Sequence, residues 1–322
     1  MKYSIAIRTL GKSGEKFVAE LESIKRQTIQ PEKVVIYIAE GYQRPDYTIG
    51  KEEYIWVKKG MIRQRALNYD EIDSPLVMLL DDDVELADAA AEVMLKALEE
   101  NNLDCIAADV FRNQNMSLRS KCYAAITNLV FPHWGNKWAF IIHSNGSFSY
   151  NNHITKDVYL SQSAAGPCAL WKKQAFLDLH IEDELWLDDF GFAYGDDGLT
   201  FNKLYKNGYR LGVHYNCGVV NLDGKSYSSG FQKNVKKFYT RSIASLLIWH
   251  RTCYNLNGLS FFKKAWAAIS FSFKALWLLM IHAVSAVILR SPKVLTNYVS
   301  GIIDGLKMIR SQEYKQLPNY IL

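Results

Sequence analysis

Nothing in this 322-residue sequence spaces its cysteines for disulfide or zinc chemistry. The five (Cys105, Cys122, Cys168, Cys217, Cys253) are scattered, odd in number and never fall as C-x-x-C. That excludes a disulfide framework and fits a reducing compartment. Neither G-x-G-x-x-G nor G-x-x-x-x-G-K-[ST] occurs, so a dinucleotide or P-loop site lacks its fingerprint. The opening stretch, Met1-Lys2-Tyr3-Ser4-Ile5-Ala6-Ile7, is too short an apolar run for a secretory signal core and reads as a first strand. No RNA- or DNA-binding motif is present, which argues against a nucleic-acid partner. Acidic residues are scarce at one end: residues 225–322 hold 14 Lys/Arg against only Asp304 and Glu313, leaving 24 Lys/Arg and 31 Asp/Glu for residues 1–224. A basic, apolar end on an acidic body points to an anionic surface, and its apolar content favours a membrane.

What is present centres on residues 76–86. Leu76-Val77-Met78-Leu79-Leu80 reads as a strand buried on both faces, and it runs into Asp81-Asp82-Asp83. Adjacent carboxylates at the end of a buried strand repel one another and are costly to desolvate. A hard divalent cation, Mg²⁺ or Mn²⁺, is one compensation, and ligands of open α/β sheets bind at the carboxyl ends of strands. The alternative is a solvated acidic turn that caps the helix after it.

The rest of the first 225 residues alternates strand and helix patterns, which predicts βαβ units and a mostly parallel sheet. Ile5 to Arg8 reads as a strand, Glu15 to Thr28 as a helix, Lys33 to Ala39 as a strand ending at Glu40-Gly41, and Tyr54 to Val57 as a short strand. Gly60 to Tyr69 reads as a helix carrying Arg63, Arg65 and Asn68, and residues 87–100 as another. Leu118 to Val130 reads as a helix and Ala139 to Tyr150 as a hairpin around Asn145-Gly146. A second acidic cluster, Asp188-Asp189 and Asp196-Asp197, precedes a helix over Leu199 to Lys206. Asp196 and Asp197 are either an N-cap or carboxylates presented at a pocket rim.

Taken together, these segments resemble an inverting family 2 glycosyltransferase with the GT-A fold, over roughly residues 3–225. Ser23-Ile24-Lys25-Arg26-Gln27-Thr28 resembles the family's "L-x-S-[IL]-x-x-Q-T" helix, Arg65-Ala66-Leu67-Asn68 its "A-R-N" element, and Leu80-Asp81-Asp82-Asp83 its D-x-D motif. Phe192-Ala193-Tyr194-Gly195-Asp196-Asp197-Gly198-Leu199, followed by Gly208-Tyr209-Arg210, resembles its downstream acidic pair and "G-[YW]-[RK]". The resemblance implies a GT-A (Rossmann-like) domain over 1–230, with a basic helical tail over 231–322. It implies a nucleotide-sugar donor and a Mn²⁺ or Mg²⁺ ion on Asp83, assisted by Asp81. Asp197 becomes the base that deprotonates the acceptor hydroxyl, with Asp196 as neighbour or the reverse. Thr9, Arg8, Glu40, Arg65, Asp81 and Asp82 are implied to line the nucleotide-sugar site. Trp171, Trp186 and Tyr194, around the second acidic motif, are either acceptor-side stacking faces or core packing. Many members carry a metal-site His after the last core strand; here that region reads Val219-Val220-Asn221-Leu222-Asp223. Either Asn221 or Asp223 substitutes, or the contact is missing.

Ala265 to Leu289 is 25 residues broken only by Lys274 and His282, and Asn297 to Arg310 is amphipathic. A spanning helix needs about 20 apolar residues, and Lys274 near the middle is costly there. The tail is therefore expected to lie on a membrane surface, with a single span as the alternative. The implied setting is peripheral, on the cytoplasmic face, with a saccharide or lipid-linked acceptor of surface polysaccharide assembly. The rival readings are a sugar nucleotidyltransferase, which would need a Gly-rich basic loop where Thr9-Leu10-Gly11-Lys12-Ser13-Gly14 is sparse, and a non-catalytic membrane-associated scaffold.

Overall fold

The computed structural model describes residues 1–110, 117–191, 194–223 and 235–321. Strands β1 (Tyr3–Thr9), β2 (Val34–Ala39), β3 (Glu52–Val57) and β4 (Leu76–Asp81) alternate with loops and helix α1 (Glu15–Lys25). A short β5 (Val84–Leu86), helix α2 (Ala90–Glu100) and β6 (Cys105–Ala108) follow. Helix α3 (Leu118–Asn128) leads into a small three-stranded sheet of β7 (Phe131–His133), β8 (Phe140–Ile142) and β9 (Phe148–Asn151). Next come β10 (Val158–Leu160), β11 (Cys168–Lys172), α4 (Lys173–Leu177), a 3-10 stretch over Ile181–Phe190, α5 (Asp196–Lys206), β12 (Leu211–His214) and β13 (Val219–Asn221).

Eight strands form the main sheet in the order β10-β12-β6-β11-β4-β1-β2-β3. The pairs β1–β2, β2–β3, β1–β4 and β6–β12 are parallel, while β11 runs against β4 and β6, and β10 against β12. This is the mostly parallel α/β sheet that the strand–helix alternation predicts. Its central strands are apolar on both faces because each face is covered: one buries Ile5, Ile7, Met78 and Leu80 with Phe17 and Met94, the other Ala6, Val77 and Leu79 with Trp171, Phe201 and Leu204.

One expected element differs. Residues 60–69 form a run of turns rather than a helix. The N–H groups of Ile62 and Arg63 are both taken by the carboxylate of Asp188, each at 3.0 Å. A contact spanning over a hundred residues thus fixes this loop, and no local periodicity reveals it.

The tail comprises α6 (Lys236–Trp249), a π-helical turn at His250–Tyr254, β14 (Leu256–Asn257), α7 (Phe261–Ile288), α8 (Lys293–Arg310), α9 (Gln312–Lys315) and β15 (Tyr320–Ile321). It shares the main core: Ile243, Leu247, Leu256, Tyr314 and Tyr320 pack in the same cluster as Trp171 and Leu204. Buried Glu184 accepts hydrogen bonds from Arg251 (2.7 Å), Trp186 (2.8 Å) and the Tyr320 hydroxyl (2.6 Å). Arg251 neutralises the charge that burial there would otherwise make costly. The expected boundary near residue 230 falls outside the described residues.

Helix α7 is long and apolar enough to cross a membrane by length and composition. Its two faces differ: Ala267, Phe271, Lys274 and His282 turn inward, while Phe262, Trp266, Ile269, Phe273, Leu276 and Met280 are exposed.

Candidate active site

β1 and β4 are neighbours in register, with Arg8 opposite Asp81. Their carboxyl ends therefore deliver Arg8, Thr9 and the acidic run to one place. The guanidinium of Arg8 pairs with Asp81, and the Thr9 hydroxyl donates to Asp82 while accepting the Gly11 N–H at 2.7 Å. A cleft of about 600 Å³ opens over these ends. Arg8, Lys12, Lys59, Arg63 and Arg65 line it together with Asp81 and Asp82. Cations beside acids suit a ligand carrying both phosphate and a divalent ion.

Asp83 turns to a second partner set. The antiparallel pairing of β5 with β13 sets Asn221 opposite Val84. The Asn221 side-chain amide then donates to the Asp83 carboxylate at 3.2 Å, and Asp223 is hydrogen-bonded to Asp83 as well. Burial first, then the negative charge of Asp81, Asp82 and Asp223, pushes the Asp83 acid up to about 7. Asp81 is also raised, by burial, but Arg8 and Arg65 pull it back. Lys16 ion-pairs with Asp223 as Arg8 does with Asp81, so of Asp81, Asp83 and Asp223 it is Asp83 that is left without an ion pair of its own among the described residues. Among the described residues, no group of three or more His, Cys, Asp or Glu side chains could hold a metal. Two carboxylates and an amide still fit a Mg²⁺-type ion, which normally takes one or two protein carboxylates and completes its shell with phosphate and water. Behind them Glu20 is fully buried, and burial with the neighbouring acids holds it protonated, well above the carboxylate range.

The second acidic pair begins α5. Arg65 ion-pairs with both acids, at 3.0 Å to Asp196. Asp196 is buried, and burial, opposed by Arg65, raises it to about 7. Asp197 is the more open of the two and accepts the backbone N–H of Gly166 at 3.0 Å. The next residue, Pro167, offers its carbonyl to the Asp81 N–H at 2.9 Å. One turn, Gly166-Pro167, therefore holds both acidic clusters. A Cβ at 166 would collide with the Asp197 carboxylate and force it to shift.

The other expected positions lie as follows. Arg65 lines the cleft but is bound to Asp196 and Asp197. Glu40 stands on the exposed turn after β2 and does not line the cleft. Trp171 is 1% exposed and stacks on Phe201, so neither ring face is free for a sugar. Trp186 is likewise buried, with its N–H given to Glu184. Tyr194 is half-buried with Arg241 over its ring; Phe192 and Ala193 of the same motif lie outside the described residues. Sequence reasoning missed Gln64, whose amide reaches the Thr9 carbonyl at 3.3 Å, and missed Asp188 and Gly166 as holding groups. The Gly166-Pro167 pair was the available signal for the last.

No family model matches the chain, and no curated protein matches it. Among solved structures, GalNAc-T7 with UDP, GalNAc and Mn²⁺ is similar with a TM-score of 0.47 and 12% identity. The likeness covers 68% of this chain and 43% of that one, so the chain spans less than half of that protein's length.

Proposed function

We propose that this chain is a metal-dependent, inverting glycosyltransferase of the GT-A type. It transfers one sugar from a nucleotide-sugar donor to a hydroxyl of a lipid-linked saccharide, at the cytoplasmic face of a membrane. The observation that carries this reading is the joining of the two acidic clusters by the Gly166-Pro167 turn, beside a cleft lined with basic residues. In this reading Arg8, Lys12, Lys59 and Arg63 bind the donor diphosphate, and Thr9 and Gln64 fix the cleft floor. Asp83 and Asp223, with Asn221, hold the ion, which when bound neutralises charge on the leaving diphosphate. Asp197, the solvent-reachable acid of its pair, takes the proton of the acceptor hydroxyl as that oxygen attacks from the face opposite the diphosphate. Arg65 holds Asp197 and Asp196 in place and keeps the buried Asp196 from standing alone.

The membrane part of the reading is supported by α7. Its exposed stripe is apolar along its length, Lys263, Lys264, Arg290 and Lys293 flank it, and residues 224–303 contain no acid. Lys274 and His282 face the protein body, which suits a helix lying in the interface rather than crossing.

Calorimetric titration of UDP, GDP and dTDP, with and without Mn²⁺, tests the donor site. One nucleotide is expected to bind only with metal and to lose binding in Asp83→Ala. Transfer from the matching nucleotide-sugar is then read by release of that diphosphate. Pyrophosphate formation from a nucleoside triphosphate and a sugar 1-phosphate would instead favour the nucleotidyltransferase reading. Nucleotide binding with no turnover of either kind would favour the scaffold.

A further inference from the structure

A second cavity, of about 370 Å³, opens at the foot of α7, on the far end of α5 from the acidic pair. Its polar wall carries Lys206 and Lys263 with Gln162 and Asn202; its apolar wall carries Phe262 and Trp266. Among the described residues, neither lysine has a hydrogen-bonding or ion-pair partner. Lys206 is half-buried, and burial, with the like charge of Lys263 adding to it, lowers its pKa. Lys206 is thus a half-buried cation with the exposed Lys263 beside it and no counter-charge paired to either among the described residues, an arrangement that favours an anion between them. Among the described residues the acid that acts on Lys206 is the Cys253 thiol, whose pKa burial pushes up. The rim is the opposite in character. Phe262 and Trp266 are 82% and 62% exposed and begin the apolar stripe that continues along α7 through Ile269 and Phe273.

We infer that this cavity binds the phosphate group of an amphiphile, with Lys206 and Lys263 on the phosphate and the apolar chain leaving over Phe262 and Trp266 along α7. An ammonium is a compact donor suited to a phosphate dianion, and the pair offers two. Linking this site to the acceptor rests on the transferase reading. On that reading α5 is the ruler between the two sites: Asp197 lies in its first turn and Lys206 closes it, about 14 Å apart at about 1.5 Å per residue. An acceptor held by its lipid phosphate at Lys206 would reach the base with its distal sugar.

The test uses the purified full chain and octyl phosphate below its micellar concentration, followed by calorimetry, with inorganic phosphate and octanol as the other two arms. Octyl phosphate is expected to bind at least about tenfold more tightly than either, because both walls contribute. Lys206→Met and Lys263→Met should each weaken it about tenfold without changing the melting temperature, and Lys206→Arg should restore it. Equal binding of octanol overturns the phosphate site and leaves an apolar crevice. Equal binding of inorganic phosphate overturns the amphiphile. Unchanged affinity in both Met variants overturns the assignment to these lysines. Asp83→Ala should keep octyl phosphate binding, and Lys206→Met should keep metal-dependent nucleotide binding, so failure here and failure of the donor site are read separately.

Discussion

The backbone N–H of Gly166 donates to the Asp197 carboxylate at 3.0 Å, from a turn whose next residue holds the Asp81 backbone. The position of the proposed base is thereby tied to the end of the central strand. Gly166→Ala places a methyl group against that carboxylate. Transfer is expected to fall by about two orders of magnitude, as for a catalytic group misplaced by about 1 Å, with nucleotide affinity little changed. Steady-state kinetics beside the nucleotide titration checks this; equal activity would remove Asp197 from the mechanism.

Arg65 is the counter-charge of a buried acid, with both side chains nearly closed to solvent. Arg65→Met should destabilise the protein by about 1–3 kcal/mol at neutral pH, because buried Asp196 loses its partner and, with its pKa driven up further, must take up a proton to stay buried. The loss should shrink at pH 5, where Asp196, already raised to about 7, is protonated. Denaturant unfolding at the two pH values measures the difference, and a pH-independent loss would count against this pairing.

Asp83 gives a pH dependence of definite sign. Its folded pKa of about 7 lies above the unfolded value of about 3.9, so the folded state holds the proton more tightly. Its contribution to stability is then fullest below about pH 4 and is lost as pH rises through about 7. Asp83→Asn should melt higher than the parent at pH 8 in the absence of metal, and equally at pH 4. Mn²⁺ should raise the parent's melting temperature at pH 8 and leave the variant unmoved. Differential scanning calorimetry distinguishes these outcomes.

Asp188 is a positioning residue for the loop that carries Arg63 and Arg65. Asp188→Ala leaves the N–H groups of Ile62 and Arg63 without their acceptor, at a cost of about 1–3 kcal/mol. The loosened loop should raise KM for the donor more than it lowers kcat. Asp188→Asn, which keeps one acceptor oxygen, should recover part of the KM. A fall in kcat alone would place Asp188 elsewhere in the reaction.

Exposed Phe273 and Leu276 belong to the stripe assigned to the membrane. Phe273→Glu with Leu276→Glu should abolish co-flotation with vesicles rich in phosphatidylserine while leaving nucleotide binding intact. Nitroxide labels walked along α7 should report depths that oscillate every 3.6 residues for a helix in the interface. A single deep maximum at mid-helix would mean that it crosses.

The apolar runs and their spacing determined the sheet, because strands buried on both faces read as near-continuous apolar runs, as β2 and β4 do. The same patterning marked α7 and the acid-poor tail. Also legible were the two acidic clusters, since three aspartates after a buried strand violate the ordinary preference for apolar neighbours. Tertiary structure alone decided which carboxylate has which partner. Arg8 neutralises Asp81 because β1 and β4 are adjacent, Asn221 reaches Asp83 because β13 folds back on β5, and Asp188 crosses the chain to cap the loop at 62. Each is a contact between segments far apart in sequence, set by strand order and packing. Trp171 marks the same limit: its sequence neighbours suggest a sugar platform, but β11 lies inside the sheet, so the ring is spent on the core.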